Sequence, residues 1–140
     1  FDVDGTLADI NHRRHFVEKK PKDWDSFYAG MVGDSPIKPV VMMAQLLKSA
    51  GHRIIIATGR PRHYNNVTLQ FLNYNDIPYD ATYLRADKDY RPDTVVKENM
   101  LRKMKINGYD PTIAFDDRKS VVEMWRINGL FVFQVDEGNF

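Results

Sequence analysis

The sequence predicts an α/β fold in which a five-stranded parallel sheet is covered by helices on both faces. Short apolar segments of strand length alternate along the chain with longer segments whose apolar residues repeat at helical spacing. This alternation is typical of parallel sheets, because each return to the same edge requires a crossover connection. In addition, aspartate or threonine follows three of the predicted strands, at the edge where such sheets bind ligands.

The first strand is short, and a polar insert follows it. Residues 1–4 have the character of a strand end, and Gly5 allows the backbone to turn sharply out of it. Because Phe1 stands where the middle of a buried strand should be, we expect upstream residues to be missing. Residues 9–36 are polar, charged and aromatic. We expect them to form a small flap or cap with short helices around residues 13–19 and 24–31.

The rest of the chain is predicted to alternate between helices and strands. Residues 38–49 carry apolar side chains at helical spacing and are followed by Gly51, which suits a helix C-terminus. Residues 53–57 are rich in isoleucine, as in a strand that is covered on both faces. The same criteria predict helices at residues 61–75, 93–106 and 120–127, and strands at residues 81–84, 112–115 and 130–135.

The composition favours one soluble domain without a global preference for nucleic acid. Its 140 residues suffice for a single domain with its own core, and we assign residues 1–140 to that domain. The net charge is +1, from 20 basic and 19 acidic residues, so any attraction to a polyanion must be local. The chain has no cysteine, no apolar run of membrane-spanning length and no recognisable signal peptide. We therefore expect a cytoplasmic protein without membrane contact.

The segment Asp2-Val3-Asp4-Gly5-Thr6 is the most informative motif of the chain. On a strand, alternate residues share a face, so Asp2 and Asp4 would crowd together unless a cation or an ionised substrate separated them. The structural alternative is an ordinary aspartate–glycine turn after a strand. The combination of two aspartates with Gly5 and Thr6 favours a functional site.

A second acidic pair, Asp116-Asp117, follows another predicted strand. Taken alone, it could be an N-cap pair for the next helix. Together with Asp2 and Asp4 it would bring three or four carboxylates to one edge, where their repulsion calls for a cation. Oxygen ligands suit Mg²⁺, which shares its coordination shell with phosphate. The predicted cofactor is therefore Mg²⁺, with the metal ligands Asp2, Asp4, Asp116 and Asp117.

Two further segments could bind phosphate at this edge. Thr58-Gly59 follows the second strand, where a hydroxyl and backbone amides could hold phosphate oxygens, although threonine–glycine turns are common. Lys97 lies one helical turn after Asp93, so the two side chains share a helix face. From spacing alone, a surface ion pair is the alternative for these two residues.

These segments together resemble the motifs of the haloacid dehalogenase superfamily of phosphotransferases, in the expected order over the whole chain. The segment that begins at Asp2 matches the first motif, Thr58 the second, Lys97 the third and Asp116-Asp117 the fourth. The resemblance implies a haloacid dehalogenase-like fold and a magnesium-dependent phosphatase.

Within this superfamily the chain is similar to the 3'-phosphatase domain of bacteriophage polynucleotide kinase/phosphatase. The similarity rests on residues 11–13, 58–60, 91–98, 115–118 and 121–126, and on the ending, residues 134–140. It does not extend clearly over residues 14–37, which belong to the expected flap or cap. The sequence leaves open whether a 5'-kinase domain precedes Phe1.

The resemblance implies a role for each site residue. Asp2 would be the nucleophile that forms an aspartyl-phosphate, and Asp4 would be the general acid and then the general base. Thr58 and Lys97 would hold the phosphoryl oxygens. The implied substrate-binding residues are Arg13, Gly59, Arg60 and Asp93, with Asp93 also orienting Lys97.

The substrate is the least determined property. We expect hydrolysis of a 3'-phosphate at a DNA or RNA end, because basic residues occur in loops near the predicted site: Arg60, Arg62, His63, Arg85, Lys88 and Arg91. A 5'-nucleotidase or another small-molecule phosphatase would use the same chemistry, and a non-catalytic binding domain is a third possibility. Trp24, Phe27 and Tyr28 could stack on bases or form a buried helix face. The oligomeric state and the choice between DNA and RNA stay open.

Overall fold

The predicted α/β class is confirmed by a computed structural model, which describes residues 1–138. Asn139 and Phe140, the last two residues of the predicted domain, lie outside the described residues. Helices and strands alternate along the chain from Lys38 onwards. Among the described residues, every helix is too short or too polar to cross a bilayer.

Two pairs of parallel strands make up most of the regular β structure. Strands β3 (Ile55–Pro61) and β4 (Ala81–Arg85) form one pair, and strands β5 (Ile113–Arg118) and β6 (Phe131–Gly138) form the other. A short antiparallel pair, β1 (Ala8–Asp9) and β2 (Ser35–Pro36), closes the base of the insert. The single five-stranded sheet that the sequence predicts is not confirmed, because the described strands form three two-stranded sheets.

The first residues of the chain lie between the two parallel pairs without forming a regular strand. The amino group of Phe1 donates a hydrogen bond to the Ile55 carbonyl at 2.8 Å, and its carbonyl accepts one from the Ala57 amide at 3.0 Å. On the other side, the Asp2 amide donates to the Phe115 carbonyl at 3.0 Å. Asp2 is therefore fixed next to the carboxyl end of β5.

Four long helices pack against the parallel strands. They are α3 (Lys38–Ser49), α4 (Asn65–Tyr74), α5 (Asp93–Ile106) and α6 (Lys119–Ile127). Neighbouring residues of β3 point to opposite faces, with Ile56 in one apolar core beside α3 and α4 and Ala57 in a second beside α5 and α6. The predicted helices on both faces are therefore present.

The bounds of α3 and α5 agree with the prediction, whereas those of β3 and α4 differ. Strand β3 runs on to Pro61, and a 3₁₀ turn, Arg62–Tyr64, follows before α4 begins at Asn65. The predicted helix start at residue 61 is therefore wrong. Proline suits the start of a helix, but here Pro61 ends the strand in an extended conformation.

The insert, residues 9–36, contains two short helices between β1 and β2. They are α1 (His15–Glu18) and α2 (Trp24–Ala29), and a 3₁₀ turn, Gly30–Gly33, follows them. Asp23 caps α2, because its carboxylate accepts a hydrogen bond from the Ser26 amide at 3.1 Å. The buried side chains of Val17 and Phe27 join the core beside α3, so the insert packs onto the domain.

Candidate active site

Three aspartates meet at the carboxyl ends of the N-terminal segment and of β5. One carboxylate oxygen from each of Asp2, Asp116 and Asp117 lies within 4.8 Å of the other two. All three side chains are buried. The carboxylate of Asp4 is not part of this cluster. Residues 1–4 do not form a regular strand, and Asp2 and Asp4 have different partners.

Lys97 on α5 balances part of the charge of this cluster. Its ammonium lies 2.9 Å from Asp2 Oδ1 and 3.0 Å from Asp116 Oδ2, but 3.8 Å from Asp93 Oδ2. Burial disfavours the charged ammonium, yet the carboxylates of Asp116 and Asp2 outweigh that effect and raise the pKa of Lys97. The surface ion pair that spacing alone suggests is therefore wrong, because Lys97 is buried among acidic groups.

The carboxylates still outnumber the cations. Burial, followed by repulsion from Asp116, raises the pKa of Asp2 well above its usual value. The same two causes raise the pKa of Asp117 to about 6. A divalent cation would relieve this repulsion, and carboxylate oxygens at this spacing are the ligands that Mg²⁺ takes. The residues present therefore fit a magnesium ion.

Buried hydrogen bonds fix the orientation of the three carboxylates. The Thr6 hydroxyl lies 3.1 Å from Asp2 Oδ2 and 3.4 Å from Asp117 Oδ1. Asp116 accepts hydrogen bonds from the indole of Trp125 at 3.2 Å and from the amide of Asp117 at 2.9 Å. The motif at residues 2–6 includes Thr6, so its place in the site is expected from the sequence. The contact of Trp125 with Asp116 is not indicated by any motif, because it depends on how α6 packs.

Asp4 belongs to a second buried cluster, which contains two arginines and a further aspartate. Arg13 Nη2 donates to Asp4 Oδ1 at 2.7 Å, and Arg60 Nη2 donates to the same oxygen at 2.6 Å. Both guanidiniums also contact Asp34 Oδ2, at 2.7 and 2.9 Å. We call Asp4, Arg13, Asp34 and Arg60 the arginine–aspartate cluster.

The two arginines keep Asp4 ionised. Burial alone would raise the pKa of this carboxyl, but the charges of Arg60 and then Arg13 outweigh burial and lower it. In this structure the guanidiniums of Arg13 and Arg60 are therefore engaged with aspartates. Substrate binding by Arg13 and Arg60 stays a prediction. Asp34 was not predicted from sequence, because its partners lie 21 and 26 residues away and no local pattern indicates them.

Gly59 in β3 and Asp93 at the start of α5 line the same cavity as the carboxylate cluster. The Thr58 hydroxyl accepts a hydrogen bond from the Arg60 amide at 3.2 Å, and the Gly59 carbonyl accepts one from Arg85 Nε at 3.0 Å. Asp93 Oδ1 accepts a hydrogen bond from Arg85 Nη2 at 2.9 Å. A Cβ atom at Gly59 would overlap the carboxylate of Asp93, so a larger residue at this position would require Asp93 to move.

A small cavity of about 50 Å³ opens onto these groups. Asp2 and Asp4 line it together with residues from five elements. These are Trp24, Phe27 and Tyr28 of α2, Gly59 of β3, Arg85 of β4, Asp93 of α5, and Asp116, Asp117 and Arg118 of β5. A larger cavity of about 400 Å³ lies between β3 and β5. Asp2 and Asp116 border both cavities, but Asp4, Asp93 and Asp117 line only the smaller one. We therefore place the candidate site at the smaller cavity.

Several of the basic residues near the site have acidic partners. His63 Nδ1 lies 2.8 Å from Asp87, and Arg91 Nη2 lies 2.7 Å from Asp89 Oδ2. Arg60 is buried rather than in a solvated loop. The basic loops therefore support a polyanionic substrate less strongly than the sequence suggests, because several of their cations already form ion pairs with aspartates.

Comparison with known proteins is consistent with this site. Residues 1–140 match the family model of the polynucleotide kinase PNKP phosphatase domain. The fold also matches the solved structure of a Pnkp1/Rnl/Hen1 complex with a TM-score of 0.83 and 32% sequence identity, over 99% of this chain and 45% of that chain. A second structure, of the Pnkp1/Rnl/Hen1 RNA repair complex, gives the same TM-score and identity over 42% of its chain.

The chain therefore spans less than half of the length of these structural relatives. The family match covers every motif that the sequence indicates, from Asp2 to Asp117. The predicted resemblance and the predicted phosphatase class are both confirmed. The chain belongs to the family of polynucleotide kinase phosphatase domains.

Proposed function

We propose that the domain is a magnesium-dependent phosphomonoesterase that removes the 3'-phosphate from polynucleotide ends. The observation that carries this proposal is the buried cluster of Asp2, Asp116 and Asp117 beside Lys97, within a chain that matches the phosphatase-domain family. The structural relatives belong to an RNA repair complex, which supports nucleic-acid ends as the substrate class.

Magnesium would be held by Asp2, by the main-chain carbonyl of Asp4 and by one of Asp116 and Asp117, with the other of these two acting through water. Bound there, it would offset the repulsion between the nucleophilic carboxylate and the phosphate. Lys97 already contacts two of these carboxylates, so its charge also lies where phosphoryl oxygens would gather.

Asp2 is the proposed nucleophile. Its carboxylate would attack phosphorus in line with the ester oxygen, and the bond from phosphorus to that oxygen would break as the aspartyl-phosphate forms. The hydroxyl of Thr6 and the ammonium of Lys97 hold the carboxylate of Asp2 in one orientation, which lowers the cost of reaching attack geometry. Thr58 and Gly59 would contact the phosphoryl oxygens.

Asp4 is the proposed acid and base. The lowered pKa of Asp4 favours its ionised form. In that form it can take a proton from the water that hydrolyses the aspartyl-phosphate. To protonate the leaving oxygen in the first step it must carry a proton, and the negative charge of an incoming phosphate favours that protonated form. Arg13 and Arg60 would then act by positioning Asp4 and by contacting groups next to the phosphate.

Two finer features of the fold form part of this proposal. The hydrogen bonds of Phe1 and Asp2 to β3 and β5 support a single five-membered layer in which the N-terminal segment is the central member. The insert lines the cavity through Trp24 and Tyr28, which supports its role as a flap over the substrate. The expected cytoplasmic location remains part of the proposal.

The experiment that tests the substrate compares four phosphomonoesters in the presence of magnesium. They are a 3'-phosphorylated oligonucleotide, its 5'-phosphorylated isomer, a nucleoside 3'-monophosphate and a nucleoside 5'-monophosphate. We expect the 3'-phosphorylated oligonucleotide to have the highest kcat/KM. Preferential hydrolysis of the 5'-monophosphate would instead identify a 5'-nucleotidase, and hydrolysis of none of them would leave a binding domain. Asp2→Asn serves as the inactive control.

A further inference from the structure

Three aromatic rings form a continuous stack at the mouth of the candidate site. Trp24 and Tyr28 lie on the same face of α2, with ring centroids 5.9 Å apart and planes at 24°. Tyr64, from the turn after β3, stacks on Tyr28 at 4.9 Å and 30°. We call Trp24, Tyr28 and Tyr64 the aromatic stack.

The stack borders the cavity that holds the catalytic aspartates. Trp24 and Tyr28 line the same cavity as Asp2 and Asp4. Trp24 is 40% exposed, whereas Phe27, which lies between Trp24 and Tyr28 in the sequence, is 2% exposed. The sequence left open whether these rings form a buried face or a stacking surface. The answer differs by residue, because Phe27 belongs to the core and Trp24 faces solvent.

The buried arginine–aspartate cluster holds α2 in place. The guanidinium carbon of Arg13 lies 4.2 Å above the ring of Phe27, and Arg13 Nη1 donates to the Phe27 carbonyl at 3.2 Å. Arg13 also binds Asp4. One side chain therefore fixes the distance between the proposed general acid and the helix that carries Trp24.

The size of the cavity decides where a nucleotide can lie. About 50 Å³ holds roughly three to five waters, which suits a phosphoryl group but not a nucleoside. The sugar and base of the terminal nucleotide must therefore lie outside, against the rim. Trp24 offers an exposed ring there, and the ammonium of Lys22 lies 5.5 Å from its centroid, where it could meet a backbone phosphate.

We propose that Trp24, supported by Tyr28 and Tyr64, is the surface on which the base of the 3'-terminal nucleotide stacks. This inference rests on the proposed function and identifies the part of the substrate that the insert recognises. Stacking on an indole requires only a π-face, so the subsite should accept every base. It should also favour an unpaired end, because a base within a duplex already stacks on its neighbours.

The first experiment measures kcat/KM for two single-stranded 3'-phosphorylated oligonucleotides, one of which has an abasic 3'-terminal residue. For the wild type we expect the substrate with the terminal base to be better by roughly 5- to 150-fold, the range that base–aromatic stacking supplies. Trp24→Ala should bring this ratio close to one, and Trp24→Phe should preserve most of it. Tyr74→Ala, which removes an exposed ring on α4, should keep the wild-type ratio.

A wild-type ratio near one would overturn the stacking proposal, as would a Trp24→Ala variant that keeps the wild-type ratio. Hydrolysis of the abasic substrate by the wild type would leave the proposed phosphatase function standing in either case. If neither oligonucleotide is hydrolysed, the proposed function fails. The binding measurement of the second experiment then tests the stacking proposal independently.

The second experiment follows tryptophan fluorescence in Asp2→Asn during titration with a nucleoside 3'-monophosphate or with inorganic phosphate. The chain has two tryptophans, and Trp125 is buried beside Asp116. We expect the nucleotide to quench fluorescence and inorganic phosphate to leave it nearly unchanged. Adding Trp24→Phe should remove the quenching. Equal responses to both ligands, or quenching that survives Trp24→Phe, would overturn the proposal.

Discussion

At the scale of single residues, the site separates two aspartates that lie two positions apart in the sequence. Asp2 faces other carboxylates and Lys97, so its charge is only partly balanced. Asp4 faces Arg13 and Arg60, and its pKa is lowered. Similar side chains therefore acquire different proton affinities from their neighbours, which suits a nucleophile and a proton carrier in one reaction.

Asp2→Asn should abolish turnover without unfolding the protein. The substitution removes the proposed nucleophile, so kcat on a 3'-phosphorylated oligonucleotide should fall by at least about 10²- to 10⁴-fold. Without metal, the melting temperature should be at least as high as that of the wild type, because one of three mutually repelling carboxylates is lost. More than a tenth of wild-type activity would remove Asp2 from the nucleophilic role.

Gly5→Ala should disturb the proposed metal site, and Gly129→Ala is its matched control. Both glycines have positive φ, 83° and 88°, so alanine costs roughly 1–2 kcal/mol of conformational energy at either position. Only at Gly5 would the new Cβ overlap the carboxylate of Asp117, whereas nothing lies within 4 Å at Gly129.

In urea titrations both variants should lose stability, with the larger loss for Gly5→Ala. Gly5→Ala alone should also lose magnesium-dependent activity. Equal losses of stability, with activity retained in both variants, would show that Asp117 moves aside at no cost.

At the scale of elements, the arginine–aspartate cluster joins the insert to the parallel strands. Arg13 and Asp34 come from the insert, whereas Arg60 comes from β3 and Asp4 from the N-terminal loop. The cluster therefore bridges the insert, β3 and the N-terminal loop. Its charges are buried, so removal of one member leaves the others without full compensation.

Asp34→Asn should lower the free energy of unfolding by roughly 3–5 kcal/mol, the range for a broken buried ion pair. Glu98→Gln is the control, because its ion pair with Arg102 is exposed and should contribute about 0–1 kcal/mol. Urea unfolding measures both. Hydrogen exchange should accelerate more in α2 than in α5, and uniform acceleration would show that Asp34 does not specifically anchor the insert.

At the scale of the whole molecule, ligand binding at the carboxylate cluster should stabilise the entire domain. Magnesium with beryllium fluoride, which mimics a phosphoryl group on aspartate, should raise the melting temperature by roughly 5–15 °C at 100 times its Kd. Asp2→Ala should remove the shift, and Asp117→Asn should reduce it. An undiminished shift in Asp2→Ala would place the anion elsewhere, and chelation of the metal should reverse the shift in the wild type.

The sequence predicts helices and the position of the site better than it predicts side-chain partners. The bounds of α3 and α5 follow from apolar spacing and terminal residues, which are local signals. Asp2 and Asp116 could be placed together because the ends of parallel strands share an edge. The partners of Asp34 could not be predicted, since they depend on how the insert folds back onto β3. The acidic partners of the rim cations depend on loop geometry in the same way.

The anchoring of α2 through Arg13 has a consequence for how substrate preference can change. The inward face of this helix is tied to the catalytic centre, whereas its outward face carries Trp24. Substitutions at Trp24 should therefore change the proposed stacking surface without moving the proposed catalytic groups. Protein engineers could therefore vary the outer positions of α2 to obtain phosphatases for other leaving groups, while the catalytic constellation stays unchanged.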